Sequence, residues 1–291
     1  MLLSYLHSHF PSVEEFTMEC NPESLNEEKV SLMKEKGINR VSLGVQTRDE
    51  SILRILNRSH NNFDVDRALS LLKEKGIDNI NLDFIYGLPG MTKKDLDNDI
   101  ELSLKLKSKH LSYYSLQIEK GTMFYNKHIK AQDDEVMREM YDYLIKKLHE
   151  AGFERYEVSN FAIPGYESRH NLTYWHDEPY YAVGLSASGY INQTRFTNTH
   201  SMTKYMKGLT DRATEEISSK SEEFEFLMLN LRLVSGFSLD KFKERFHKDF
   251  LVSYQKEIKK VEEYVQVKDG YFAIKPEYLY TMDHILLELL K

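Results

Sequence analysis

Cysteine is almost absent from this chain: Cys20 is the one thiol in 291 residues. A single cysteine closes no internal disulfide, which agrees with a reducing compartment, and it leaves no Cys-x-x-Cys pair for a zinc or redox site. Glycine-rich phosphate signatures are missing too, with no G-x-G-x-x-G after a strand pattern and no P-loop lysine. Neither a G-x-S-x-G elbow nor an H-E-x-x-H pair occurs. No apolar run approaches the roughly 20 residues that cross a bilayer, and the opening MLLSYLHSHFP lacks the charged n-region of a signal peptide. These absences point to the cytoplasm. Like charges never gather in a block and the net charge is -7, so the chain offers no electrostatic footprint for nucleic acid.

What is present is an ordered composition, 41% hydrophobic and 12% aromatic, in a chain long enough for a large core. A junction recurs three times: SLMKEKGINRVSLGVQ, SLLKEKGIDNINLDFIYG and KLHEAGFERYEVSN each pass from a helical pattern through glycine into a strand pattern. Gly37, Gly76 and Gly152 stand where a helix needs a left-handed residue to stop. Thr47 with Glu50, and Thr92 with Asp95, have capping-box spacing after strand-like runs. The pattern predicts an α/β fold with parallel strands near 15–20, 39–46, 79–86, 110–117 and 155–160.

Alternation then sorts the side chains. Phe16, Met18 and Cys20 face one way, as do Val41, Leu43 and Val45, and Ile80, Leu82, Phe84 and Tyr86. Opposite them stand Glu19, then Ser42, Gly44 and Gln46, then Asn81, Asp83 and Ile85. Glu19, Gln46 and Asp83 come late in their strands, at one expected depth near the C-terminal rim where such sheets bind ligands. Cys20 is expected to be a small buried filler on the helical side. Beyond about residue 215 the pattern turns helical and ends in a hairpin at Asp269-Gly270 and a last helix, which predicts a small domain of winged-helix type.

Six stretches occur in a telling order: ECNPESL, INRVSLGVQ, NLDFIYGLPGMT, LSYYSLQIEKGTMFY, YEVSNFAIPGYESRHNLTYW and LNLRLVSGF. Together they resemble the HemW-type haem chaperones, radical S-adenosylmethionine proteins related to oxygen-independent coproporphyrinogen III oxidase. HNLTYW, His170 to Trp175, looks like the HNxxYW motif that marks this branch. The resemblance covers nearly the whole chain and implies a partial radical-SAM (β/α) barrel with an HNxxYW-containing extension over 1–212, followed by the winged-helix-like domain over 213–291.

It also implies roles residue by residue. Glu19, Gln46, Arg58 and Asp83 match the family residues that hold S-adenosylmethionine. Carboxylates accept hydrogen bonds from an ammonium or a ribose diol, an arginine fork suits a carboxylate, and an amide does either. His170 and Tyr174 are four apart, so on a helix they share a face, and either is chemically suited to ligate haem. The competing reading is a packed loop whose polar groups cap nearby backbone. The implied partners are haem and the proteins that accept it, membrane-associated ones among them.

The sequence departs from the family in one respect. A [4Fe-4S] cluster, present in the complete family form, needs three cysteines in a C-x-x-x-C-x-x-C loop, and that loop is missing. So are the glycine-rich strand end and the first two strand-helix units. Met1 is therefore expected to be an internal start of a longer protein, and the chain as given is expected not to cleave S-adenosylmethionine. No catalytic side chain and no metal ligand is nominated. Oxidative decarboxylation of coproporphyrinogen III stays open as the alternative function, and a poorly folding fragment as a third reading.

Overall fold

The computed structural model describes residues 2–10, 12–209 and 211–290. These form two compact units, Met1–Ser168 and Arg169–Lys291. The division falls earlier than the expected 212/213 boundary, for a physical reason: residue 212 opens a strand that is hydrogen-bonded into a sheet begun at residue 188.

Unit 1 begins with helix α1 (Leu2–His9) and then builds one sheet from β1 (Thr17–Cys20), β2 (Arg40–Gln46), β3 (Asn79–Tyr86), β4 (His110–Ser115), β5 (Glu154–Arg155) and β6 (Asn160–Ala162). The strand order is β1-β2-β3-β4-β6-β5, and the first four strands run parallel. Between them lie α2 (Glu27–Glu35), α3 (Glu50–Ile55), α4 (Asn62–Glu74) and α5 (Lys93–Lys105), with α6 (Met123–Asn126) and α7 (Asp134–Glu150) after β4.

Helices α2, α4 and α7 stop as the glycines predict. Gly37, Gly76 and Gly152 take φ of 84°, 70° and 88°. Ile38, Ile77 and Phe153, the apolar residues that follow, bond back to Met33, Leu72 and Leu148 at 3.0, 2.9 and 2.9 Å and are buried. This is the Schellman closure with its hydrophobic contact. Helix α5 makes the same closure without glycine: Lys107 takes φ 50° and Ser108 bonds to Ser103 at 3.0 Å.

Two expectations are corrected here. The capping box at Thr92 and Asp95 is present, but α3 is capped by Asp49, which accepts from the Ser51 and Ile52 amides; Thr47 lies buried two residues earlier. The strand expected at 155–160 is instead the pair β5 and β6, antiparallel to each other, with β6 antiparallel to β4. Glu157 turns inward between them, 1% exposed, and accepts from the Ser159 amide and the Asn160 side chain, which folds the chain back.

The predicted apolar face is the core of unit 1: Val41, Leu43, Val45, Leu82 and Phe84 are fully buried beneath the helices. Each such side chain stabilises the fold by about 2 kcal/mol. Cys20 departs from its expected place. Because β1 lies at the sheet edge, the thiol is only half-buried.

Unit 2 opens with α8 (Arg169–Trp175) and an antiparallel sheet that the sequence reading missed: β7 (Ser188–Ile191), β8 (Thr194–Asn198) and β9 (Arg212–Glu216), with α9 (Met202–Met206) inserted before β9. The β7–β8 turn places Asn192 and Gln193 at φ 50° and 58°, the left-handed pair of a tight hairpin. Gly189 faces Phe196, whose ring fills the space a side chain would need.

The expected winged-helix-like arrangement follows: α10 (Ser219–Asn230), β10 (Phe237–Ser238), α11 (Leu239–Phe246), α12 (Phe250–Ser253), α13 (Gln255–Lys260), β11 (Val265–Lys268), β12 (Tyr271–Ile274) and α14 (Met282–Leu289). Its sheet runs β10-β12-β11, and the hairpin turns at Asp269 and Gly270, both at positive φ. Its core is a set of phenylalanines, Phe226, Phe237, Phe242, Phe250 and Phe272, with ring centroids between 4.7 and 5.8 Å apart.

Candidate functional site

In unit 1 the face opposite the core carries a polar lattice. The parallel register sets Glu19, Ser42, Asn81 and His110 in one row across β1 to β4, and Gly44, Asp83 and Ser112 in the next. Asn81 is the hub. Its amide nitrogen donates to Ser42 at 2.7 Å, Asp83 at 2.7 Å and Ser112 at 3.1 Å, while its oxygen faces His110 Nδ1 at 2.7 Å. Ser42 donates to the other Asp83 oxygen at 2.6 Å. His110 Nε2 meets the Tyr156 hydroxyl at 2.8 Å, and burial holds this imidazole well below its usual pKa, so it is neutral.

The four predicted ligand residues lie around this lattice at three levels. Glu19 is exposed and stands one row before Asp83, so the expectation of equal depth is corrected. Its side chain makes no hydrogen bond among the described residues. Gln46 ends β2 after a register shift, at φ 68° and 8% exposed, with its amide over Gly44; a Cβ on that glycine would stand 2.9 Å from Gln46 Nε2. Arg58 lies in the loop between α3 and α4 and donates to Asn21 Oδ1 at 3.4 Å. The same Asn21 oxygen is 3.5 Å from the vacant Gly44 Cβ position. Asn21 therefore brings Arg58 toward the Gly44 end of β2, a connection that the sequence reading did not foresee.

This arrangement can hold a polar ligand with charges of both signs. Asp83 has both oxygens oriented yet keeps lone pairs, Arg58 has donors to spare, and Glu19 is open to a cation. These residues fit S-adenosylmethionine. The iron-sulfur cluster is a different matter. With one thiol, and no metal-ready group of three or more His, Cys, Asp or Glu among the described residues, the chain does not fit a three-cysteine cluster. Burial first, then Glu19 beside it, pushes the Cys20 thiol up to about 11, so it is protonated and inert at neutral pH.

In unit 2, α8 carries HNLTYW as a helix rather than a loop. His170 and Tyr174 share a face, their rings edge to face at 4.8 Å, and Tyr174 meets Tyr180 at 4.5 Å. Burial raises the Tyr174 pKa. Arg232 sits 4.9 Å over the Trp175 ring, whose indole nitrogen is buried with no hydrogen-bond partner among the described residues. Just past the helix a cavity of about 640 Å³ opens. Its walls include His176, Tyr190, Phe226, Phe237 and Tyr271, with Asp177, Glu222, Lys241 and Arg245 at polar positions. Arg245 binds Asp177 at 2.8 Å and Glu222 at 2.9 Å. Burial pushes the Asp177 carboxyl up to about 6 against the pull of Arg245.

Comparison with known proteins fits this geometry. The radical SAM superfamily profile matches residues 2–103 and the HemN C-terminal domain profile matches residues 217–280. The haem chaperone HemW of Lactococcus lactis is 38% identical over 253 residues, covering 84% of this chain and 67% of that protein. HemW of Bacillus subtilis is 38% identical over 245 residues, 80% of this chain and 64% of the relative. HemW of Escherichia coli is 32% identical over 227 residues, 76% of this chain and 60% of the relative. The chain thus spans about two thirds of the length of these curated relatives. Coproporphyrinogen III oxidase (HemN) from Escherichia coli, a radical SAM enzyme, shares the fold with a TM-score of 0.79 at 16% identity, over 94% of this chain and 69% of that one.

Proposed function

The chain belongs to the HemW family of radical SAM proteins, and from that premise we propose that it binds haem through unit 2 and passes it to acceptor proteins. The observation that carries this reading is α8, where His170 and Tyr174 present an imidazole and a phenol on one face. Both groups can ligate ferric iron, and the neighbouring Tyr180 offers a flat apolar contact for a tetrapyrrole. The partner proteins are haem acceptors, membrane-bound ones included. Among the described residues no helix is long and apolar enough to cross a membrane.

Glu19, Gln46, Arg58 and Asp83 would hold S-adenosylmethionine in unit 1. When bound, that molecule supplies a sulfonium whose cleavage requires an electron. This chain has no cluster ligands to deliver one, so its own residues bind and orient: Asp83, fixed by Ser42 and Asn81, accepts from a cationic or hydroxyl group, and Arg58 receives a carboxylate. The fold likeness to HemN carries no substrate with it, so porphyrinogen decarboxylation has no separate support.

The test is titration of the purified chain with ferric haem, followed in the Soret region, then mixing with an apo-acceptor. We expect saturable binding, loss of signal to the acceptor, and weaker binding in His170→Ala and Tyr174→Phe. A chain that binds no haem refutes the reading.

A further inference from the structure

Gln46 keeps its place in the unit 1 site through a backbone turn that few residues adopt. We propose that His60 is the positioning residue of that site: its ring locks the turn that aims Gln46 and ties it to the loop that delivers Arg58. The inference rests on the reading that unit 1 holds S-adenosylmethionine.

The turn is short and strained. The Thr47 amide bonds back to the Val45 carbonyl at 2.9 Å across Gln46, whose φ is 68°. A three-residue closure with positive φ at its centre is the rare form of γ-turn, and a side chain there carries backbone strain that its surroundings must hold in place. The strain sets a direction: the chain shifts register against β3 between Gly44 and Gln46, and the Gln46 amide folds back over Gly44. Past the turn the chain is secured by Asp99 of α5, fully buried, which accepts from the Arg48 amide at 2.7 Å. The Val45 peptide has to be held from elsewhere.

His60 holds it. The ring is buried in the loop between α3 and α4, and its Nε2 lies 3.1 Å from the Val45 carbonyl oxygen. A carbonyl oxygen only accepts, so Nε2 carries the proton and donates. The bond lands on the oxygen that closes the turn, so it opposes any flip of the peptide between Val45 and Gln46.

The loop that carries His60 also carries Arg58. The closure that ends α3 puts Asn57 at φ 56° and bonds the Arg58 amide to the Leu53 carbonyl at 3.0 Å, which sets where the Arg58 side chain leaves the backbone. Arg58 then donates to Asn21 Oδ1 at 3.4 Å. Ser59 donates to one Glu23 oxygen at 2.8 Å, and the other Glu23 oxygen lies 3.6 Å from His60 Nδ1. The segment after β1, the end of β2 and the Arg58 loop therefore meet at one buried imidazole, and its bond to Val45 fixes the Arg58 loop against the Gln46 turn.

The test compares the parent chain with His60→Ala, His60→Asn and His60→Gln, by amide hydrogen exchange in nuclear magnetic resonance and by calorimetric titration with S-adenosylmethionine. A glutamine amide nitrogen reaches the place of Nε2, whereas an asparagine amide stops at the place of Nδ1, so of the three only glutamine can donate to Val45. His60→Ala and His60→Asn are expected to speed exchange at Thr47 and to weaken S-adenosylmethionine binding, each by about tenfold, while the Arg48 amide keeps its protection and His60→Gln restores both readouts. Exchange that rises evenly along β2 and β3 in all three variants, or Thr47 exchange and affinity that stay parental in His60→Ala, overturns the proposal. Should the variants fail to melt cooperatively, the parent decides alone: nitrogen-15 shifts of the His60 ring are expected to place a proton on Nε2, and an Nε2 without one overturns the lock. A parent that binds no S-adenosylmethionine refutes the ligand reading of unit 1; Thr47 exchange that quickens in His60→Ala and recovers in His60→Gln then upholds the lock on its own.

Discussion

The sheet of unit 1 and the cavity of unit 2 both gather polar side chains, and they satisfy them in opposite ways. On the sheet, Ser42, Asn81, Asp83, Ser112 and His110 bond to one another across three strands, with His110 held neutral. Around the cavity the groups are charged and arranged about empty volume: Arg245 bridges two carboxylates, Lys241 has no partner among the described residues, and His176 is held through one ring nitrogen. A lattice that closes on itself orients a ligand residue, whereas a charged rim around a void leaves room for the ligand itself. The first fixes Asp83 at one angle, and the second leaves its charged groups facing open space.

The largest expected effect tests the lattice. Asn81→Leu strips four neighbours of a partner at once and should destabilise unit 1 by about 4 kcal/mol in urea unfolding. A loss under about 1 kcal/mol would mean that the lattice is ornamental. Next comes unit 2. Gly236 takes φ 64°, and a Cβ there would stand 2.0 Å from the Phe272 carbonyl oxygen, so Gly236→Ala should cost about 3 kcal/mol and lower the melt of unit 2.

Acid should then divide the two regions. Folding keeps His110 neutral, its pKa depressed from 6.5 by burial, so the folded state binds fewer protons there than the unfolded chain. That contribution is present above pH 6.5 and lost as pH falls below it, and His110→Gln should flatten the decline in the melting temperature. Asp177 acts in the other direction. Its pKa is raised from 3.8 to about 6, so its contribution is full below the lower value and lost as pH rises through the upper one. Asp177→Asn should therefore gain on the parent over that window, measured as the difference between their melting temperatures. The smallest effect concerns Cys20: Cys20→Ser should shift stability by about 1 kcal/mol or less, and the native thiol should alkylate slowly at neutral pH.

The parts of this contrast that were legible in the sequence follow from periodicity and local chemistry. Three glycine stops located three strands because only glycine adopts that φ cheaply, and the fourth stop was invisible because Lys107 pays the left-handed strain itself. Alternation put Ser42, Asn81 and Asp83 on one face, but it could not show that Asn81 binds the others, since that depends on lateral register between strands far apart in sequence. Glu19, Gln46 and Asp83 came from alternation and motif resemblance and Arg58 from resemblance alone, while the Arg58–Asn21 contact appears only in space. The β7–β8–β9 sheet was missed because its strands are short and its turn, Asn192-Gln193, lacks the glycine that usually marks a hairpin.

Trp175 is the chain's one tryptophan, and it sits at the end of α8 beside Tyr174, with Arg232 packed on its ring. The protein consequently carries its own optical reporter. Its tryptophan emission arises wholly from the segment proposed to meet haem, and a bound tetrapyrrole would drain that emission by energy transfer. Dimming on loading and recovery on hand-off would time the delivery of cargo in an unlabelled sample, while events confined to unit 1 pass without a flicker.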